Sequence, residues 1–311
     1  MKTRVTAVTL ALLSLTLTLR GAEAKRIVLL AGPPSHGPGD HEHRAGCLLF
    51  KGCLDRIPGV TAAVYSNGWP ENPSAAFADA AAVVIYSDGG GGHPFLKDAR
   101  LKTLGDLMKK GVGLACIHYA VEPTKEEGEK EFLDWIGGCF ETDWSVNPTW
   151  RAQLEPMPVH AVTRGVKPFE INDEWYFHMR FRDGMKGVLP ILSAVAPEKT
   201  MSRADGPHEG NPAVREAVKR GEPQILAWVC ERPDGGRGFG FTGGHYQQNW
   251  GNDDFRKLVL NAILWTAKVE VPADGVNCTV TSGDLKQNLD FKGQRREGAG
   301  EGEWGSGGVM E

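Results

Sequence analysis

The chain has 311 residues, of which 41% are hydrophobic and 24% are charged, so it is globular and long enough to bury one large core or two. Its net charge of -4 leaves no basic stripe that could neutralise phosphates, which argues against nucleic acid as a partner. The nine tryptophans offer flat apolar rings, and such rings suit the C–H faces of sugars as well as a protein core.

The first 24 residues predict a secretory signal peptide. Lys2 and Arg4 form a basic start, Val5 to Leu19 is an apolar, threonine-rich run, and Ala22-Glu23-Ala24 is a small-x-small cleavage site. The apolar run is shorter than the ~20 residues that span a bilayer. We therefore expect cleavage after Ala24, export to the periplasm or the medium, and a mature chain without a membrane span.

In the N-terminal half, short apolar runs alternate with helical stretches. The pattern predicts strands over residues 26–32, 60–66, 81–87 and 113–118, and helices over residues 44–56 and 97–110. Apolar runs without polar alternation are typical of parallel strands that are covered on both faces. We expect an α/β fold with a mostly parallel sheet and helices on both faces.

From about Trp150 the pattern changes. Strands predicted over residues 151–155, 170–181 and 187–196 are separated by loops rich in proline and glycine, which indicates an antiparallel extension inserted in the same domain. Residues 201–222 predict a surface loop with a short helix. Strands over 224–230 and 239–242 and a helix over 253–267 then return to the α/β core.

The predicted domain therefore covers residues 25–270, and residues 271–311 are expected to form a linker and a disordered tail. The tail begins at Gly293, where the sequence is too polar and glycine-rich to pack.

The cysteines at positions 47, 53, 116, 139, 230 and 278 do not predict a disulfide framework. They are dispersed through a long chain, and Cys116 and Cys230 lie in apolar runs, so we expect buried thiols rather than disulfides. The sequence has no CxxC or Cys/His zinc spacing, no dinucleotide-binding glycine fingerprint and no Walker loop.

Two groups of polar residues follow predicted strands in the N-terminal half. The loop from Ser35 to His43 carries three imidazoles and two carboxylates, which could bind a metal or sugar hydroxyls; the alternative is a solvated loop whose acids begin a helix. His118 stands where a strand-to-helix elbow would expose it, as a general acid or base or as a metal ligand. Cys116 lies two residues before His118, on the same side of the strand but deeper in the sheet, so we expect it to be structural.

Two further groups lie in the C-terminal half. Asp173 and Glu174 stand beside Trp175 and Tyr176, an acid or base next to a stacking platform; the alternative is a pair of edge charges that block aggregation. The run from Gly243 to Trp250 has two glycines followed by an imidazole, a phenol, three amides and an indole. It is typical of one wall of a polar ligand site, although a turn with a helix cap would use some of the same residues.

Taken in chain order, these segments resemble the trehalose-utilisation (ThuA-like) family over roughly residues 25–270. The resemblance rests on Ser35-His-Gly-Pro-Gly-Asp-His41, Gly113-Leu-Ala-Cys-Ile-His118, His160-Ala-Val-Thr-Arg-Gly165, Asp173-Glu-Trp-Tyr176 and Thr242-Gly-Gly-His245 with Asn249-Trp250.

The resemblance implies a flavodoxin-like, class I glutamine-amidotransferase-like fold and a role in the catabolism of disaccharides and keto-sugars. In that superfamily the elbow holds a cysteine nucleophile, and the matching position here is His118, so amidotransferase chemistry is not expected. Members of the family often carry a second histidine where this chain has Gln247, which weakens a histidine-pair metal site at that point.

The leading hypothesis is an exported enzyme that acts on a glycoside or keto-sugar by a hydrolase, lyase or isomerase step. His118, Glu174 and His245 are the predicted catalytic residues. The predicted substrate-binding residues are His36, His41, Tyr119, Trp175, Tyr176, Asn249 and Trp250.

No cofactor is identified from the sequence. A divalent metal is compatible with the imidazoles expected at the strand ends, with His41, His118 and His245 as candidate ligands. Two other readings stay open: a non-catalytic sugar-binding protein, which would not need His118, and a thiol-dependent amidohydrolase that uses Cys116. The oligomeric state is not predicted.

Overall fold

The computed structural model describes residues 24–154 and 157–292. The predicted signal peptide, apart from its last residue, and the predicted disordered tail from Gly293 lie outside the described residues.

A seven-stranded sheet forms the centre of the protein, in the order β2-β1-β3-β4-β11-β10-β9. Strands β2, β1, β3, β4 and β11 are parallel, whereas β10 is antiparallel to both β11 and β9. The parallel part has the 2-1-3-4-5 order of flavodoxin-like sheets. The strand bounds are β1 Lys25–Ala31, β2 Val60–Tyr65, β3 Ala80–Tyr86, β4 Gly113–Ile117, β9 Val188–Val195, β10 Pro223–Glu231 and β11 Arg237–Phe241.

Helices cover both faces of this sheet. Ile27 and Leu29 of β1 face a core that includes residues of helices α1 and α6, whereas Val28 and Leu30 face a second core that includes residues of α3 and α4. Burial on both faces explains the unbroken apolar runs, and the predicted mostly parallel sheet with helices on both faces is confirmed. The helices are α1 His43–Leu54, α2 Pro73–Phe77, α3 Arg100–Met108, α4 Glu129–Trp135, α5 Pro212–Lys219 and α6 Asp253–Thr266.

The antiparallel extension differs in detail from its prediction. Two small sheets form beside the main one, one from β6 Thr149–Leu154 with β7 Phe169–Glu174 and one from β5 Gly138–Cys139 with β8 Arg180–Phe181. The single strand predicted over 170–181 is wrong, because the chain leaves the ladder after Glu174. Three consecutive aromatic residues follow; the first and third enter one core and the second enters the other.

The predicted linker after Val271 packs against the domain as far as Lys292. Cys278 forms a disulfide with Cys53 of α1, so the expectation of thiols alone is wrong for these two residues. The other four cysteines are buried free thiols, as predicted. Lys292 forms an ion pair with Glu42 at 3.3 Å, and both side chains are buried. Through the disulfide and the ion pair, this segment packs the C-terminal end of the described chain against α1 and the loop before it.

Within the described ranges, none of the helices has the length and apolar character needed to cross a bilayer.

Candidate metal and substrate site

Four polar side chains meet at the carboxyl ends of the parallel strands. His41 follows β1, Asp88 follows β3, His118 follows β4 and His245 follows β11. Ligands of open α/β sheets bind at this edge, where the loops after neighbouring strands come together. The sheet order therefore assembles residues that are up to 204 positions apart in the chain.

Three histidines at this edge of the sheet have backbone φ angles in the left-handed region. The φ angles of His36, His41 and His118 are 58°, 45° and 57°. Such values are uncommon outside glycine and often occur at functional sites, where the surrounding structure holds the strain. His118 begins the short 3-10 helix His118–Val121 directly after β4, which is the elbow that the sequence predicts.

Four candidate ligand atoms converge in one cluster, which we call the His/Glu cluster. It consists of His41, His118, Glu174 and His245, and one ligand atom from each lies within 4.8 Å of the others. The Nε2 atom of His41 lies 3.0 Å from Nε2 of His118 and 3.1 Å from Nδ1 of His245. The Oε2 atom of Glu174 lies 3.4 Å from His118 Nε2 and 3.1 Å from His245 Nδ1.

The outer ring nitrogens show which atoms of the cluster carry lone pairs. His118 Nδ1 lies 2.8 Å from the carbonyl oxygen of Thr242, which can only accept, so Nδ1 must be the protonated nitrogen. His41 Nδ1 likewise donates to the carboxylate of Asp88 at 2.7 Å. In neutral rings, both Nε2 atoms therefore direct lone pairs at each other across 3.0 Å. A cation bound by both atoms would remove that repulsion.

The pKa values of the cluster residues also favour a bound cation. Burial and the neighbouring imidazole of His118 hold the pKa of His41 well below its usual value, so its ring is neutral. Burial would raise the pKa of Glu174, but its contacts with the imidazoles of His118 and His245 outweigh burial and keep the pKa well below its usual value. Burial opposes the charged form of His245, yet the hydrogen bond with Glu174 raises its pKa. A proton on His245 would pair with Glu174 but would leave the His41–His118 contact unrelieved.

The donor set fits a first-row divalent metal. Three imidazole nitrogens and one carboxylate oxygen are ligands of Zn²⁺ and of several other metals of the same row. Metal-binding histidines usually donate their second ring N–H to a carboxylate or carbonyl, and His41 and His118 do so to Asp88 and Thr242.

Further residues hold Glu174 and His245 in place. The Nδ2 atom of Asn147 donates to Glu174 Oε1 at 3.2 Å, and Asn147 in turn accepts hydrogen bonds from Arg203. The neighbouring Asp173 is fully buried and accepts the backbone N–H groups of Gly244 and His245 at 2.8 and 3.0 Å. Of the two adjacent acids, one belongs to the cluster and the other holds the turn that carries His245.

Three predicted substrate-binding residues belong to the interior. Trp175 and Trp250 are completely buried, and a Cβ on Gly243 or Gly244 would come within 2.6 or 2.9 Å of their rings. Asn249 donates to Asn172 O and Asp173 Oδ2, so its amide is used inside the fold. The structure corrects the prediction that these three position a sugar, since none of them presents a free face.

The other predicted substrate-binding residues lie around the His/Glu cluster. The ring of His36 packs against that of His41 at an interplanar angle of 31°, with centroids 3.6 Å apart, and its side chain is 42% exposed. Tyr176 is buried with its hydroxyl 3.4 Å from His118 Nε2, and Tyr119 lies beside both Tyr176 and His41. His36 and Tyr119 are therefore the predicted residues best placed to meet a ligand.

Cys116 does not take part in the site. It is completely buried in β4, and burial raises the pKa of its thiol, which keeps it protonated and unreactive. This finding disfavours the thiol-dependent amidohydrolase and agrees with the structural role expected for Cys116.

Sequence reasoning missed several residues that support the cluster. Asp88 follows the buried strand β3, and its position at the carboxyl end of that strand is the signal that could have identified it. Asn147 and Arg203 lie in loops of the extension, and nothing in their local sequence indicates that they reach Glu174.

Comparisons with known proteins agree with this architecture. A ThuA-like protein from Bacteroides uniformis superimposes with a TM-score of 0.54 at 14% identity, over 79% of this chain and 92% of that one. A ThuA-like protein from Parabacteroides merdae does so with a TM-score of 0.52 at 15% identity, over 79% of this chain and 90% of that one. At these identities the likeness shows the fold.

No curated protein matches the sequence significantly. The family described as trehalose utilisation (ThuA) matches residues 67–266, which contain His118, Glu174 and His245 but not His41. The chain belongs to the ThuA family.

Proposed function

We propose that the protein is an exported, metal-assisted enzyme that cleaves glycosides, including glycosides of keto-sugars. The observation that carries the proposal is the convergence of two buried imidazoles, His41 and His118, whose Nε2 atoms lie 3.0 Å apart while both Nδ1 atoms donate to other groups. Together with His245 and Glu174 they form a binding site for a divalent cation. When bound there, such a cation would supply Lewis-acid chemistry toward a carbonyl or hydroxyl oxygen of a substrate.

The sugar assignment is supported by the family, whose description connects the chain with sugar metabolism. In this proposal His118 acts as a ligand rather than a proton carrier, because it is fully buried and its Nδ1 is used by Thr242. His245 and Glu174 are the other ligands, and His36 and Tyr119 lie where a sugar would approach.

Export is supported by the signal-like N-terminus and by the disulfide between Cys53 and Cys278. Disulfides persist in oxidising compartments and are rare in the reducing cytosol. Mass spectrometry of the mature protein from its native host tests this part: the N-terminus should be Lys25, and an N-terminus at Met1 would contradict it.

The enzymatic part is tested by turnover of nitrophenyl and methyl glycosides of glucose and of 3-keto-glucose. We expect the metal-loaded protein to cleave at least one of them, a chelator to abolish cleavage, and Zn²⁺ or Mn²⁺ to restore it. Glu174→Gln removes the anionic ligand and should lower kcat/KM by at least about 100-fold, in line with the cost of losing one charge-stabilising group at a reaction centre. Unchanged activity in Glu174→Gln or after chelation would contradict the proposal.

The same glycosides also test the alternative that the protein binds sugars without catalysing a reaction. Binding of these glycosides by calorimetry, with no turnover by the metal-loaded protein, would favour a non-catalytic sugar-binding protein.

A further inference from the structure

A second polar group lies next to the His/Glu cluster and is not used by it. It surrounds a cavity of about 320 Å³ whose walls include Tyr119, Glu122 and His208. Tyr119 is shared with the cluster: its ring centroid lies 6.2 Å from that of His41 and 6.4 Å from that of His208. The volume is near the lower end of the ~300–1,000 Å³ usual for small-molecule sites, which suits one small group of a substrate.

His208 and the buried Glu122 form a carboxylate–imidazole pair in this cavity. His208 Nε2 donates to Glu122 Oε1 at 2.8 Å, and the Glu122 side chain is only 2% exposed, whereas that of His208 is 34% exposed. The other carboxylate oxygen, Oε2, is buried and has no hydrogen-bond partner among the described residues. Because Nε2 is engaged with Glu122, Nδ1 is the nitrogen of His208 that can meet a ligand.

The fold holds this pair rigidly. The His208 ring stacks on the buried ring of Phe140, with centroids 5.1 Å apart. A Cβ on Gly89 would lie 2.2 Å from the carbonyl oxygen of Tyr119, so only glycine allows the loop after β3 to pack on the turn that carries Glu122. The backbone of His208 is fixed as well, since its carbonyl accepts the N–H of Asn147.

The charges around His208 favour its protonated form. The hydrogen bond with Glu122 raises the pKa of His208 against the opposing effect of burial; the charges of Glu122 and Glu174 add to the rise, and that of Arg203 opposes it. Lys125, Glu126 and Asp143 also line the cavity. A histidine whose pKa is raised holds its proton to higher pH, which suits it to donate that proton to a departing group.

We propose that His208, oriented by Glu122, is the proton donor to the leaving-group oxygen of a glycoside whose sugar unit binds at the His/Glu cluster. This inference rests on the proposed function. It assigns the acid role to a residue outside the cluster, whose members are used as ligands.

The step conserves atoms and electrons. The bond between the anomeric carbon and the leaving oxygen breaks with its electron pair on the oxygen, and the oxygen takes the Nδ1 proton. Water supplies the new oxygen on the anomeric carbon, and the proton that it releases restores His208. No oxidant or reductant is consumed.

The dependence on the leaving group tests this role with the metal-loaded protein. A nitrophenolate is a stable anion and can leave without a proton. Methoxide is strongly basic and must be protonated as it leaves. His208→Ala should therefore lower kcat/KM for the methyl glycoside by about 100- to 1,000-fold, the usual contribution of a general acid, and that for the nitrophenyl glycoside by less than about tenfold. Lys130→Ala, which removes an exposed cation of α4 outside the cavity, is the control and should preserve both activities.

The pH profile supplies a second readout. The rate on the methyl glycoside should fall as the pH rises through the pKa of His208, and Glu122→Gln should move that fall to lower pH because the charged partner is lost. An equal loss on both substrates in His208→Ala, or no loss on either, would overturn the inference while leaving the metal-assisted function intact. Absence of turnover by metal-loaded wild-type protein on every glycoside would refute the proposed function and this inference together.

Discussion

At the scale of single residues, the candidate site depends on which atom each imidazole leaves free. Asp88 and the carbonyl of Thr242 bind the Nδ1 atoms of His41 and His118, so both rings present Nε2 to the same point. A metal that binds there uses lone pairs that the fold has already oriented, which lowers the cost of organising its ligands.

The support that Asp88 gives to His41 leads to a first prediction. In Asp88→Asn the amide oxygen can still accept the Nδ1–H of His41, but without a charge, so the affinity for Zn²⁺ should fall by about 10- to 100-fold. Titration with Zn²⁺ against a competing chelator measures this change. Asp79→Asn, which neutralises an exposed acid on the same domain, should leave the affinity unaltered. Equal affinities in Asp88→Asn and wild type would show that the carboxylate does not support the site.

The roles of particular residues show where sequence reasoning reaches its limit. His41, His118 and His245 could be predicted to meet, because each follows a parallel strand at the same edge of the main sheet, whereas Glu174 ends a strand of a separate small sheet. Trp175 and Trp250 stand beside the same motifs, yet they fill the core, since an indole near a polar loop suits either place.

Sequence separation explains most of what was missed. His208 is 86 residues from Glu122, and Arg203 is 56 residues from Asn147, and these contacts depend on how the loops of the extension fold back.

At the scale of elements, the segment after α6 stabilises the loop that carries His41. Lys292 Nζ donates to the carbonyl oxygens of Asp40 and His41 and forms the buried ion pair with Glu42. The N–H of Asp290 donates to Glu42 at 2.8 Å, so two residues of the segment hold the carboxylate that begins α1. Local composition indicated only a linker here, because the contacts that hold the segment, such as the Cys53–Cys278 disulfide, join residues far apart in the chain.

A second prediction concerns this segment. Lys292→Met leaves Glu42 buried without its cation, and loss of one partner of a buried pair commonly costs about 3–5 kcal/mol. We expect a lower free energy of unfolding and, because the loop with His41 loosens, weaker Zn²⁺ binding. Lys286→Met is the control, since Lys286 is exposed in the same segment. A lower free energy of unfolding with an unchanged Zn²⁺ affinity would show that the segment stabilises the fold but does not support the metal site.

At the scale of the whole molecule, buried neutral histidines connect stability with pH. His93 is completely buried; its Nε2–H donates to Ala120 O, its Nδ1 accepts the N–H of Phe95, and burial lowers its pKa to about 4. The unfolded chain takes up a proton at this residue near pH 6.5, whereas the folded chain does so only near the lowered value.

Stability should therefore fall as the pH is lowered through this window, by up to about 3 kcal/mol for His93 alone. Urea unfolding in the presence of a chelator, between pH 7 and pH 4.5, measures the slope. His93→Gln should show a shallower slope than wild type, whatever its absolute stability. Parallel slopes would mean that His93 does not contribute to the acid sensitivity.

His41, His118, Glu174 and His245 are proposed to form a metal centre. Its most direct test is the metal content, by inductively coupled plasma mass spectrometry, of protein expressed from residue 25 onward. We predict close to one divalent metal per chain in the wild type and in the control His160→Ala, whose side chain caps a turn through its bond to Val162. His118→Ala and His245→Ala should lose the metal while remaining folded. A folded wild-type protein that stays metal-free after incubation with Zn²⁺, Mn²⁺ and Fe²⁺ would contradict the account.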